Sequence, residues 1–563
     1  MTKTLLLAAL LLLAACASPE PADLVLRGGK VVTVDESTPD GTAIAVRGDR
    51  IALVGSDEDV ADLVGPETEV VELDGRLVIP GFIEGHGHFS SIGNARMILD
   101  LNDARTWDDI VAQVAEAVAD AEPGEWINGR GWHQEKWEET PEGSVDGVPT
   151  HQSLSAVSPR NPVLLGHASG HAAFANAEAL RLAGISGETP DPAGGEIVRD
   201  FRGEPTGLLR ETAQGLVGRA RSQSQRSMTE EEARALAIER VRLASVEVLE
   251  NGITSFQDAG SGFSQIDLYR ELAESGSLPV RLYVMIRASN ESLDRSLADY
   301  RLIGLGNNHL TVRSIKRSID GALGPHGAWL LEPYSDKPES AGLNTSEPAD
   351  VAETARLALQ HGFQLNVHAI GDRANREVLD IYEIAFGGTD TEDRRWRIEH
   401  AQHLHPDDIS RFAELSVIAS MQGVHATSDG PWVHEKLGET RAQEGAYVWR
   451  SLLDSGAVVT NGTDAPVEDV SAIASYYSTV SRRVRDGSQF YPDQALTRME
   501  ALRSYTISNA YAAFEEDLKG TLTPGKLADI TVLSADILTI PEEEIPGTQV
   551  DYTIVGGRIL YAR

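Results

Sequence analysis

At 563 residues the chain has room for about two or three domains, and its 41% of hydrophobic residues is enough to build a core. With 86 acidic against 49 basic residues the net charge is -37. That charge excludes the Lys/Arg stripes that nucleic acid or an extended anionic lipid surface requires, and it favours a soluble body. From the start, Lys3 and an apolar run over residues 5–13 read as a signal peptide, since the run is too short to span a bilayer. Cys16 is the only cysteine of the chain, so no disulfide or thiolate metal site is available after it.

Leu13-Ala14-Ala15-Cys16 resembles the lipobox of bacterial lipoproteins, which implies a signal peptide over residues 1–15, lipidation of Cys16 and a tether over 16–22. Ala17 looks like an outer-membrane sorting residue. The implied location is the cell envelope, lipid-anchored in the outer membrane and facing the periplasm, with membrane contact only through that anchor.

Residues 23–78 alternate apolar and polar positions with turn signals between: LVLRGGKVVTVD, AIAVRGDRIALVG and TEVVELDGRLVIP read as short strands. The pattern returns near the other end in GKLADITVLSAD and DYTIVGGRILYAR. The two ends, 23–78 and 516–563, are therefore expected to pair into a small β-sandwich. Between them, residues 79–515 alternate strand and helix. VIPGFIEGHGH comes first. A helix opening at the Thr229 capping box and ending near Asn251-Gly252 follows, then a strand ending at Asp258. PVRLYVMIRA, LTVRSIKRSID, FQLNVHAIGD, RWRIEHAQH, SVIASMQGV and AVVTNGTDAPV complete eight apolar runs. Eight alternations give an α/β fold, a (β/α)₈ TIM barrel. The stretch from about 98 to 225, with WINGRGWHQEKW and a Gly/Pro-rich segment, breaks the alternation and reads as an insertion after strand one that covers the barrel mouth.

Chemistry-bearing residues sit where the apolar runs end. His86 and His88 close strand one and point the same way, because side chains in a strand repeat every two residues. Strand four carries Lys316; strands five and six end in His368 and His400; strand eight ends in Asp464. Barrel enzymes place functional groups at the C-terminal strand ends, so these six converge on one mouth. Four imidazoles and a carboxylate suit Zn²⁺ or a similar divalent ion, in one or two copies.

This order resembles the amidohydrolase superfamily, and VIPGFIEGHGH, GHAAFANAEAL, GGEIVRDFRGEPTGLLRE, KRSIDGALG, VHAIGDRAN, QGVHATSDGPW and GTDAPV resemble the blocks of amidohydrolase family 3, which includes N-substituted formamide deformylases. The resemblance covers nearly the whole chain after the signal peptide. It implies metal ligation by His86, His88, Lys316, His368, His400 and Asp464, with Lys316 carbamylated by CO₂. It implies a hydroxide generated at the metal that attacks an amide or formamide carbonyl, with Asp464 as general base and acid. His425, at the end of strand seven, is a second candidate for stabilising the oxyanion. His171, His425, His326 and Trp132 are candidate contacts to a small amide-like substrate. Two departures touch the substrate side: Pro325-His326-Gly327 follows GALG where the family has Ser-Arg, and GHASGH lacks the family's preceding Arg. Ester, lactone or cyclic-amide hydrolysis on the same site, and a non-catalytic ligand-binding lipoprotein, are the alternatives. Relatives suggest a homodimer.

Overall fold

The computed structural model describes residues 20–224, 228–387 and 393–563, so Cys16 and the signal peptide lie outside the described residues. Eight parallel strands run in unbroken order around a nearly closed barrel: Phe82–Gly87, Ile253–Ser261, Arg281–Ile286, Leu310–Ser318, Gln364–Ala369, Arg397–His400, Ile418–Gln422 and Val459–Gly462. They are strands one to eight below. Arg281–Ile286 and Gln364–Ala369 are buried on both faces, as a sheet covered by helices requires. The helix before strand two starts where the capping box places it. Thr229 accepts from the Glu232 N–H, and the Glu232 carboxylate accepts from the Thr229 N–H. Gly252 follows in the left-handed region at φ 76°, and the strand then runs to Ser261, three residues past the expected Asp258.

Strands one and eight close the ring through glycine. A Cβ on Gly462 would stand 2.7 Å from the His86 nitrogen, and one on Gly85 would stand 2.4 Å from the Asn461 carbonyl oxygen. Just beyond that approach, the Asp464 N–H donates to the His86 carbonyl at 2.8 Å and the His88 N–H to the Ala465 carbonyl at 2.7 Å. The seam that closes the barrel thus carries three of the six expected site residues.

Between strands one and two, a six-stranded sheet is built from residues 99–211 around its own apolar cluster, which includes Trp107, Trp132 and Phe174. The chain ends form two sheets. Leu24–Arg27, Ala43–Arg47, Arg50–Gly55 and Glu69–Glu72 make the first. Lys30–Val31 and Leu77–Pro80 join Ile530–Leu533, Val550–Val555 and Arg558–Ala562 in the second. Leu26, Ile44, Val78 and Ile530 are among the buried residues of one apolar cluster that both sheets share.

A buried ion pair ties this terminal body to strand three. Arg281 donates to both oxygens of Asp529, at 2.7 and 3.0 Å, and the Gly556 N–H adds a third bond at 2.9 Å. Burial alone would raise the Asp529 pKa; Arg281 outweighs it and holds the carboxyl below the usual range. Asp529→Asn leaves the guanidinium buried beside a neutral amide, so a loss of roughly 3–5 kcal/mol in denaturant unfolding is expected. A carboxyl depressed in the folded state stabilises above its unfolded pKa of about 3.9, and that contribution fades as pH falls below it. The unfolding curves of the wild type and the Asp529→Asn variant should therefore converge in acid.

Candidate active site

Five of the six side chains stand on strand ends or one residue past them, and Asp464 follows strand eight by two residues. His86, at the seam, gives its Nδ1 to a very short contact with Glu399 Oε2, which fixes the other ring nitrogen toward the barrel mouth. That Nε2 lies 3.2 Å from Lys316 Nζ and 3.6 Å from Asp464 Oδ1. His88 Nε2 reaches the same Asp464 oxygen at 3.3 Å, and His400 Nδ1 is 3.9 Å from Asp464 Oδ2. His400 and Asp464 both hold positive φ, 77° and 58°, a conformation that is uncommon and costly for non-glycine residues. Gln422 Oε1 accepts from His400 Nδ1 at 2.8 Å. His368 stacks edge-on to His400, with ring centroids 4.5 Å apart, and its Nε2 is 3.5 Å from Asp320 Oδ1.

Burial keeps His86, His368 and His400 neutral by pushing their pKa values down, which suits them to bind a cation. It also pushes Lys316 down to about 8, an unusually accessible neutral amine. Asp464 is pushed up by burial, but His88, His86 and His400 outweigh that and hold it ionised well below the usual range. Glu399 obeys the same balance: burial opposes ionisation, and His86 brings it down to about 2.

The donors fit a divalent ion. Nitrogen and oxygen ligands at about 2.1 Å from one tetrahedral ion sit about 3.4 Å apart, and the separations of 3.3 and 3.6 Å around His86, His88 and Asp464 match that spacing. His86, His400 and Asp464 bring one ligand atom each within 4.8 Å of one another. His368 Nε2 and Asp464 Oδ1 are buried without a hydrogen bond among the described residues. His88, Lys316, His368, His400 and Asp464 line one cavity of ≈ 390 Å³.

Of the expected substrate contacts, two face this space. His171 lines the cavity, with Nδ1 2.7 Å from Glu211 Oε2. His425 lines an adjoining chamber, and Gln402 holds its Nδ1 at 3.0 Å. The other two lie elsewhere. His326, at φ 61° in the turn after strand four, is drawn to Asp336 at 3.0 Å and Lys436 at 3.4 Å, and it lines neither chamber. Trp132 is fully buried in the apolar cluster of the six-stranded sheet, its indole N–H donating to the Leu165 carbonyl at 2.9 Å.

Glu399, Asp320 and Glu211 are site residues that sequence reasoning missed. Asp320 accepts the N–H groups of Trp329, Ile370 and Gly371, and burial pushes it up to about 7. The one signal in the sequence was position: Glu399 precedes His400 in RIEHAQH, and Asp320 closes KRSID.

A model of the amidohydrolase family matches residues 69–561, nearly all of the described chain. The chain belongs to the amidohydrolase family. This amidohydrolase is 34% identical over 553 residues to the protein LONG AFTER FAR-RED 3 of Arabidopsis thaliana, covering 96% of this chain and 92% of that protein. It is 31% identical over 547 residues to the N-substituted formamide deformylase of Arthrobacter pascens, covering 96% and 98%. Among solved structures, an uncharacterised metal-dependent hydrolase of Pyrococcus horikoshii superposes with a TM-score of 0.72 at 26% identity, over 92% of this chain and 99% of that one. The amidohydrolase is accordingly a metal-dependent hydrolase acting on carbon–nitrogen bonds.

Glu399 orients His86 from behind, so Glu399→Gln is expected to weaken metal affinity about 10- to 100-fold, the usual cost of removing such a support. Competition for the metal with a calibrated chelator measures it; unchanged affinity would assign Glu399 to packing alone.

Proposed function

We propose that the amidohydrolase cleaves an amide- or formamide-type C–N bond in a small molecule, with His86, His88, Lys316, His368, His400 and Asp464 holding one or two divalent ions. The imidazole-rich donor set suits zinc. Carbamylation of Lys316 would turn an amine into an anionic ligand, and the depressed pKa of that buried amine supports it. When bound, the metal supplies acidification of a water and polarisation of a carbonyl.

The chain's own residues do the rest. Asp464, ionised and with Oδ1 free of other hydrogen bonds, takes the proton from the attacking water. Carbon–oxygen bond formation then precedes carbon–nitrogen cleavage, and the same carboxyl returns its proton to the departing nitrogen. Glu211 fixes His171 with its Nδ1 occupied, leaving Nε2 to face the substrate carbonyl or leaving group. His425 stands stacked on His400 as a second donor to a developing oxyanion. We read the 99–211 sheet as the insertion that covers the mouth, and the two terminal sheets as a small β-sandwich. Anchoring through Cys16 belongs to the same proposal.

The observation that carries this reading is that Lys316 Nζ and Asp464 Oδ1 both approach His86 Nε2 on one barrel end, at 3.2 and 3.6 Å. The test is amine release from a panel of N-formyl, N-acyl and cyclic amides, before and after chelation and zinc re-addition. Activity that disappears and returns supports it. A fully metal-loaded chain that releases no amine from any amide, yet cleaves esters or lactones, would replace it with that alternative.

A further inference from the structure

The cavity beside the expected ligands is bounded by three carboxylates, Asp464, Glu211 and Asp320, and by two guanidinium groups, Arg130 and Arg287. Every carboxylate is committed. Asp464 faces the histidines, Glu211 holds His171, and Asp320 accepts three main-chain N–H groups. Arg130 is spent on the carbonyls of Ala168 and Pro466, at 2.8 and 3.1 Å. The Arg287 guanidinium donates to Ser318 Oγ at 3.3 Å, and no carboxylate among the described residues ion-pairs with it.

Arg287 is nevertheless held in place. It follows directly on strand three, and its N–H donates to the Ser261 carbonyl at 2.9 Å. Its Cδ passes 3.1 Å from where a Cβ on Gly260 would stand, and Gly260 has φ +133°, so glycine there both takes the backbone turn and clears the arginine stem. The Arg287 side chain is exposed to solvent, and an arginine keeps its charge at neutral pH. A cation fixed at the mouth of an acidic protein, without an acid beside it, suits an anion that arrives with the substrate.

The second chamber, ≈ 50 Å³, shares Ser169, His171, His368, His400 and Asp464 with the first, and Leu323, Pro325, Ile370 and Trp432 give it an apolar wall. By this measure a water needs about 10–15 Å³, so the chamber takes a short alkyl group. The two chambers meet at His368, His400 and Asp464, where the C–N bond must lie. We infer that the substrate amide carries a carboxylate that pairs with Arg287 and a small apolar group that fills the chamber walled by Trp432, the chemistry of an N-acylated aliphatic amino acid. This rests on the C–N hydrolase reading above. In the reaction water adds to the acyl carbon, the C–N bond breaks, and the proton passes to nitrogen, leaving a carboxylic acid and an amino acid.

The experiment compares N-formyl-leucine with N-(3-methylbutyl)formamide, the same molecule without its carboxylate, on the zinc-loaded enzyme. The expected kcat/KM ratio favours the acid about 10- to 100-fold, the range of a charge-assisted hydrogen-bonded pair. Arg287→Gln should cut that ratio at least tenfold through KM, and Arg287→Lys should restore part of it, with metal content and melting temperature as for wild type. A carboxylate can also bind the metal directly, so a preference that survives Arg287→Gln unchanged overturns the inference. Equal turnover of the two formamides by the wild type overturns it too and leaves the C–N reading standing. Should neither be turned over, calorimetric titration of the same pair reads the preference directly, and equal affinities there overturn it. Failure of every amide on the wider panel would instead bring down the parent reading.

Discussion

Asp464→Asn is expected to lower kcat by roughly 10³- to 10⁴-fold, the upper range for losing a positioned acid–base group. Three histidines crowd this carboxylate, at 3.3, 3.6 and 3.9 Å, and they hold it ionised against the cost of burial. Its backbone is equally constrained, with φ at 58° and its N–H tied to the His86 carbonyl across the barrel seam. Nothing in that arrangement serves packing. Asparagine keeps the shape and one possible ligand oxygen but removes the negative charge and the proton acceptor. Steady-state kinetics with metal content measured on the same sample separates the two roles. A large fall in kcat with metal retained identifies the proton carrier, and activity within tenfold of wild type would remove Asp464 from the chemistry.

Lys316→Ala should release bound metal and reduce activity by about 10²-fold or more, beyond the cost of losing a mere supporting contact. A lysine this deeply buried, with its pKa down to about 8, is an expensive residue to keep for structure. Its Nζ lies 3.2 Å from His86 Nε2, and a free ammonium has no lone pair for a metal. Lys316→Arg distinguishes the two uses. A guanidinium preserves a cation beside Glu399 and Asp464 but cannot be carbamylated, so it should be as inactive as alanine. Reconstitution of the metal-free wild type should be slow in CO₂-depleted buffer and fast with bicarbonate. Full activity of Lys316→Arg, or reconstitution indifferent to bicarbonate, would leave the lysine as an ion-pair partner only.

The barrel was legible because apolar-rich runs recur in alternation with helical patterns, and the Thr229 capping box marks one helix start. The ligand positions were legible because histidines and Asp464 are rare residues at the ends of such runs. What lay deeper was not. Glu399, Asp320 and Glu211 are three among 86 acidic residues, and only tertiary packing singles them out by burying them against His86, main-chain N–H groups and His171. His326 sits in a turn next to cavity-lining Gly324 and Pro325, but its positive φ swings it to Asp336 and Lys436. Trp132 ends the glycine-containing strand Ile127–Trp132, whose pairing with Val163–His167 buries it, a non-local contact that local pattern does not record. The chain ends were expected to pair into a β-sandwich; how strands are shared between its two sheets depends on the break between Arg27 and Lys30, which sends neighbouring strands to different partners and which local pattern does not record.

Elemental analysis of the purified chain, beside a His86→Ala, Asp464→Ala double variant, tests the meeting of these six side chains most directly. One or two equivalents of divalent metal per wild-type chain are predicted, lost with activity on chelation, regained together, and absent from the double variant. Metal bound equally by wild type and double variant, or undiminished hydrolysis by the metal-free chain, would contradict it.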